Sequence, residues 1–321
     1  MLKVAFLEPV QELILQVEER MLSQAEGAHQ QLALAMDHLL SSGGKRMRVA
    51  LTLLTGEMLG GDRETLVTLA AALEMLHTAT LVHDDLIDGS LIRRGIPTLN
   101  AQWSAPATVL TGDFIFARAA KLAADVSLVP VMQLFAQTLA TIVNGELTQL
   151  FGRRGMMGRE EYYQRIYAKT ASLFETAALS AAMVSASSPD VLAKTKFYGN
   201  EIGMAFQIVD DILDFTGDQE SVGKPVASDL RQGIITLPTL FYLEKSPQDE
   251  VLEAILNGKP VIGENLEALI NAIRYSGAVE QAMESANDHI HRALESLASF
   301  PDNPAQRGLE ELARYVVQRS K

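Results

Sequence analysis

The stretch Leu81-Val82-His83-Asp84-Asp85-Leu86-Ile87-Asp88 decides how this chain reads. Three carboxylates stand there among apolar residues. A near copy, Ile208-Val209-Asp210-Asp211-Ile212-Leu213-Asp214, follows 126 positions later with the same spacing. On an ideal helix, Asp85 lies roughly 100° and Asp88 roughly 40° from Asp84, so the three share one arc. Asp210, Asp211 and Asp214 share an arc in the same way. His77 projects to roughly 20° on the first helix, and Gln207 falls over the second arc at roughly 60°. Neither triplet has a Lys or Arg three or four residues away on its own helix.

Carboxylates gathered on one face repel each other, and burial raises that cost. Hard oxygen donors of this kind suit Mg²⁺, which keeps waters and prefers sites completed by substrate phosphates. Two such faces turned toward each other would hold several ions against a diphosphate and draw it off as a leaving group. A solvated acidic face accounts for one triplet as well as a metal site does. The second, with identical spacing and the same apolar setting, favours the metal. Neither triplet lies in a Gly-containing loop of the EF-hand pattern.

Working outward, the pattern is helical almost throughout, with apolar residues recurring at three and four. Helices are expected at Glu8 to Ala25, His29 to Leu40 and Arg46 to Leu59. Asp62 then caps a long helix that runs through Asp88. After a loop from Leu91 to Asn100, helices are expected at Pro106 to Asp125, Ser127 to Arg154, Glu160 to Ser187 and Pro189 to Thr216. Gly217 to Gly233 reads as a loop, with shorter helices from Pro238 onward. Few windows alternate as strands would. No composition shift or linker divides the 321 residues. The reading is one all-α domain, 1–321, with its middle helices central because they are apolar on most faces.

Composition excludes several classes. The net charge of −13 argues against nucleic-acid binding. With no cysteine there is neither a disulfide framework nor a thiolate metal site. The acidic start is wrong for a secretory signal, and no run of eighteen apolar residues suggests a membrane span. A cytoplasmic, soluble protein is expected. Cations for phosphate stand near the triplets: Gly43-Gly44-Lys45-Arg46-Met47-Arg48 at a helix start, Arg93 and Arg94 after the first triplet, Lys169-Thr170, and Lys224 after the second. Taken singly, each is as expected of an ordinary surface cation, and His77 and His83 as packed core histidines.

These residues resemble the trans-polyprenyl diphosphate synthase family. The resemblance runs from Gly43 to Pro238 and includes Gly-Gly-Lys-Arg-Met-Arg, Leu76-His77-Thr78-Ala79-Thr80 ahead of the first triplet, and Arg93-Arg94-Gly95. It continues through Gly145-Glu146-Leu147-Thr148-Gln149, Lys169-Thr170-Ala171, Phe206-Gln207 before the second triplet, Gly223-Lys224-Pro225 and Thr236-Leu237-Pro238. It implies an isoprenoid-synthase-type helix bundle around a central cavity, as a homodimer, joining isopentenyl diphosphate to an allylic diphosphate. Asp84, Asp85, Asp88, Asp210, Asp211 and Asp214 would bind Mg²⁺. Arg93, Lys169, Gln207 and Lys224 would contact the allylic diphosphate, with Thr170 beside them. Lys45, Arg48, His77 and Arg94 would hold isopentenyl diphosphate. A dry cavity would steady the allylic cation, with Phe206 a candidate.

Three positions depart from the family pattern: Val49 for a frequent Pro, Ile96 for a Lys, and Ile234 for a Lys near the allylic diphosphate. The family sets product length by the bulk of residues before the first triplet. Here Leu76, Ala79 and Thr80 are non-aromatic, which resembles medium- to long-chain enzymes. Helix geometry favours Leu76 and Thr80 as lining, and Phe116 or Phe135 are further candidates for the cavity floor. A geranylgeranyl product is the runner-up. Other classes are a terpene cyclase or head-to-head condensing enzyme, and a non-catalytic prenyl diphosphate-binding partner subunit.

Overall fold

A computed structural model describes residues 5–41, 43–151, 158–217, 226–259 and 261–319. Lys224, Arg154 and residues 218–225 of the 217–233 loop lie outside them. The fold is all-α. Its helices are α1 Gln11–Ser23, α2 Gln30–Ser41, α3 Met47–Met58, α4 Arg63–Ile87, α5 Leu99–Gln102, α6 Ala105–Asp125, α7 Val129–Phe151 and α8 Arg159–Ile166. They continue as α9 Ser172–Val184, α10 Pro189–Thr216, α11 Ser228–Arg231, α12 Leu237–Lys245, α13 Glu250–Leu256, α14 Glu264–Tyr275, α15 Ala278–Leu297 and α16 Pro304–Gln318.

The chain forms two compact units, 1–139 with 173–199 and 297–312, and 140–172 with 200–296 and 313–321. In the first, α4 is the central element and packs against α1, α3 and α6. Asp62 starts it by accepting from the Thr65 N–H at 2.9 Å. Leu66 to Leu76 is then buried without a break, as expected of a helix apolar on every side. By length and composition α4 would cross a membrane. With 78% of its most apolar window buried, it is instead a core helix. Gly112 lets α6 come close, because a Cβ there would meet the His83 ring at 2.2 Å.

Two differences from the sequence expectation bear on function. The 91–100 loop contains a two-strand hairpin, β1 Ile92–Arg93 and β2 Ile96–Pro97, in antiparallel register. Its turn residues Arg94 and Gly95 both have positive φ, 52° and 80°, the geometry of a tight primed turn. The helix expected over 160–187 is interrupted by a π turn, Tyr167–Ala171. Such turns put one extra residue into a helix and occur mostly at functional sites.

Candidate active site

In the first unit, Gly43 (φ 65°) and Gly44 (φ 156°) carry the chain to Arg46, which opens α3 in a left-handed conformation. A Cβ on Gly44 would lie 2.6 Å from an Arg94 guanidinium nitrogen. The second glycine therefore admits Arg94, whose guanidinium donates to the Gly43 carbonyl. Arg46 turns inward and pairs with Glu18 and Glu74, each at 3.0 Å. That makes Arg46 a structural cation. Lys45 stays exposed. Arg48 donates to His77 Nε2 at 3.1 Å and lies over the Phe174 ring, 4.5 Å from its centroid. Burial first, then Arg48, Arg94, Arg93 and Arg46, push the His77 pKa well below the usual imidazole range. A neutral His77 accepts from Arg48 and adds no charge to a crowded basic cluster.

The first acidic triplet ends α4. Asp85 is 6% exposed and accepts from Arg93 Nε at 2.8 and 2.9 Å, with a second guanidinium nitrogen at 2.8 Å. Asp84 is half-buried, and Asp88, at the helix C-cap, is exposed. Of the candidates for controlling product length, Leu76 and Ala79 are buried, while Thr80 is half-buried and donates to the His77 carbonyl at 2.8 Å. Phe116 and Phe135 stack with centroids 6.3 Å apart.

The second unit holds the second triplet. Both oxygens of buried Asp211 are engaged, one by the Tyr162 hydroxyl at 2.7 Å and one by the Gln207 amide at 2.8 Å. Burial raises its pKa to about 7 against the opposing pull of those two donors. Thr170 donates to the Gln207 oxygen at 2.6 Å. Lys169 pairs with Glu146 at 2.8 Å. Gly145 makes room for that pair, since a Cβ there would sit 2.7 Å from Ala168 Cβ. Asp214 accepts from the Ser228 and Asp229 N–H groups, each at 3.0 Å, and so caps α11. Asp210 meets Arg319 at 2.9 Å. The same arginine donates to the Phe206 carbonyl and covers one face of its ring, 3.8 Å from the centroid.

Each unit thus brings its own sequence-predicted residues together: Arg48, His77, Arg93, Arg94 and Asp85 in the first, Lys169, Thr170, Gln207 and Asp210 to Asp214 in the second. Sequence reasoning missed Tyr162 and Arg319. The only signal either carried was polarity within an apolar helical pattern. Among the described residues no three acidic or histidine groups already converge as a metal cage. The donor set still fits Mg²⁺, which binds one or two carboxylates plus substrate phosphates rather than a closed protein cage.

The polyprenyl synthetase family model matches residues 29–273. The heptaprenyl diphosphate synthase component 2 of Geobacillus stearothermophilus is 35% identical over 304 residues, 94% of each chain. The geranylgeranyl diphosphate synthase of Saccharolobus solfataricus is 34% identical over 296 residues, 88% of this chain and 89% of that one. A polyprenyl synthase from Caulobacter crescentus CB15, solved with calcium and isoprenyl diphosphate, superposes with a TM-score of 0.92 at 31% identity, covering 98% of this chain and 97% of that one. This chain belongs to the polyprenyl synthetase family, the trans-prenyl diphosphate synthases.

Proposed function

We propose that this protein elongates an allylic diphosphate with isopentenyl diphosphate, using Mg²⁺, and releases a medium- to long-chain all-trans polyprenyl diphosphate. The observation that carries this is the basic cluster of the first unit. Arg48 and Arg94 lie beside His77 at the double glycine, with Lys45 next in the chain, a setting for a diphosphate. The relative solved with calcium and isoprenyl diphosphate supports the same pairing of divalent ion and diphosphate. We read the whole chain as one synthase domain that carries both triplets.

The greater exposure of Asp84, Asp88 and Asp210 supports them as the ligating carboxylates. The burial of Asp85 and Asp211 supports a holding role, for Arg93 and for Gln207. Bound Mg²⁺ would neutralise the allylic diphosphate as its C–O bond breaks. Gln207, Lys169 and Lys224 orient that group. Arg48, Arg94 and Lys45 hold isopentenyl diphosphate so that its double bond meets the allylic carbon. A proton then leaves to the departing diphosphate. Arg319 supplies a positive charge beside Asp210.

Purified protein given isopentenyl and farnesyl diphosphates with Mg²⁺ should yield longer prenyl diphosphates by mass spectrometry. Asp84→Ala or Asp210→Ala should abolish them. A chain that forms no product from geranyl, farnesyl or geranylgeranyl primers would refute the reading. The relative called component 2 favours a second reading, in which this chain works with a partner subunit. Full activity of the isolated chain excludes it.

A further inference from the structure

The buried network around Asp211 contains a residue that no sequence motif drew attention to. Tyr162 is fully buried, and its hydroxyl donates to Asp211 Oδ2 at 2.7 Å. The other Asp211 oxygen accepts from the Gln207 amide at 2.8 Å. The Gln207 oxygen accepts in turn from Thr170 at 2.6 Å. The hydrogen bonds therefore run in one order, from Thr170 to Gln207 to Asp211, with Tyr162 closing the far end. Each partner fixes the next one's orientation. Thr170 decides which way the Gln207 amide faces, and Tyr162 stops Asp211 from rotating away from it.

The backbone explains how Tyr162 and Thr170 both reach α10. Eight residues apart on an unbroken α-helix, they would point roughly 80° away from each other. The π turn at Tyr167–Ala171 absorbs one residue of helical phase. The separation then behaves as about seven steps, which brings the two side chains within roughly 20°. The turn also holds Lys169, which Glu146 restrains at 2.8 Å. One irregularity in the backbone thus aligns a diphosphate cation and both ends of the hydrogen-bonded chain.

We propose that Tyr162 is a positioning residue: through Asp211 it locks the Gln207 amide, and with it the allylic diphosphate contact, in the orientation used for ionisation. This rests on the reading given under Proposed function. Tyr162 itself touches no substrate. Its hydroxyl fixes the group that does, and loss of such outer partners costs about 10- to 100-fold in activity.

Tyr162→Phe keeps the buried ring and removes only the hydroxyl. We expect kcat for extending farnesyl diphosphate to fall about tenfold or more. The KM for isopentenyl diphosphate should stay within about twofold, because its cluster is untouched, and the melting temperature should change by only a few degrees. Thr170→Val cuts the opposite end and should give a similar kcat loss, which keeps the test intact if Tyr162→Phe folds poorly. The double variant should fall no further than the worse single one, since both act through the same two side chains. Tyr163→Phe, altering the ring packed edge-on against Tyr162, should turn over like wild type. The proposal is overturned if Tyr162→Phe keeps wild-type kcat, if the two losses multiply, or if activity falls only in step with the folded fraction. A wild-type chain that extends no primer overturns the reading beneath it as well. A wild-type chain that extends, matched by Tyr162→Phe, overturns this proposal alone.

Discussion

Asp85 and Arg93 form a close ion pair, with guanidinium nitrogens 2.8 Å from the carboxylate and the carboxylate side chain only 9% exposed. The partners stand eight residues apart, joined by the end of α4 and the first strand of the hairpin. The middle carboxylate of the first triplet is therefore an anchor for the loop that carries Arg94.

That arrangement sets a stability order. Arg93→Met leaves a buried carboxylate without its cation. Because Arg93 is itself 35% exposed, we expect a loss of about 1–3 kcal/mol rather than the larger cost of a fully buried pair. Asp85→Asn together with Arg93→Met should recover part of it. Thermal unfolding of the two variants, without divalent ions, measures the difference. Equal melting temperatures for both would refute the anchoring role.

Asp211 gives a pH dependence whose sign is fixed by its pKa, raised from 3.8 to about 7 chiefly by burial. The folded state holds this proton more tightly than the unfolded chain. Its contribution to stability is therefore complete below about pH 4 and is lost as pH rises through about 7. In metal-free protein, Asp211→Asn should remove that decline, so the variant gains on wild type by up to a few kcal/mol between pH 4 and pH 8. Melting temperatures of both proteins across that range check it. A wild-type-minus-variant difference that stays flat would contradict it.

Gly44 tests the basic cluster without touching a charge. Alanine there would put a Cβ 2.6 Å from the Arg94 guanidinium and force a side chain onto a backbone at φ 156°. Arg94 must then move away from the Gly43 carbonyl. We expect the KM for isopentenyl diphosphate to rise about tenfold, the loss of one charge-assisted contact worth about 1.5 kcal/mol, with the KM for the allylic primer nearly unchanged. Steady-state kinetics with each substrate varied would show it, and a rise in the allylic KM alone would count against the assignment.

Much of this was legible in the sequence, and the gaps have physical causes. The helices were visible because their apolar period survives inspection without tertiary knowledge. The π turn was not, because one inserted residue leaves the apolar pattern over 160–187 nearly intact. The hairpin has no such signature, because nothing local in the sequence announces that Arg94 adopts φ 52°. Both acidic triplets stood out by spacing alone. Their partners did not, since Tyr162 meets Asp211 across 49 residues and Arg319 reaches Phe206 across 113. Spacing finds residues on one helix, whereas the groups that orient them arrive from other helices. Only packing brings those together.

Product length is the property that similarity to known relatives leaves open, because heptaprenyl and geranylgeranyl synthases match this chain about equally well. The residues on α4 before the first triplet give a way to test it. Ala79 is 2% exposed and Leu76 is fully buried, so added bulk at either must fill space inside the first unit. If the growing chain passes this helix, Ala79→Tyr should cut the product to about three or four isoprene units and leave the first condensation largely intact. Tyrosine in a packed core also costs about 1–3 kcal/mol, so the measurement has to be product distribution by mass spectrometry and not rate. Phe135→Ala removes a large buried ring stacked on Phe116. It should lengthen the product if that pair forms the floor, and leave length unchanged if α4 alone sets it. A product of wild-type length from Ala79→Tyr would place the growing chain away from this part of α4.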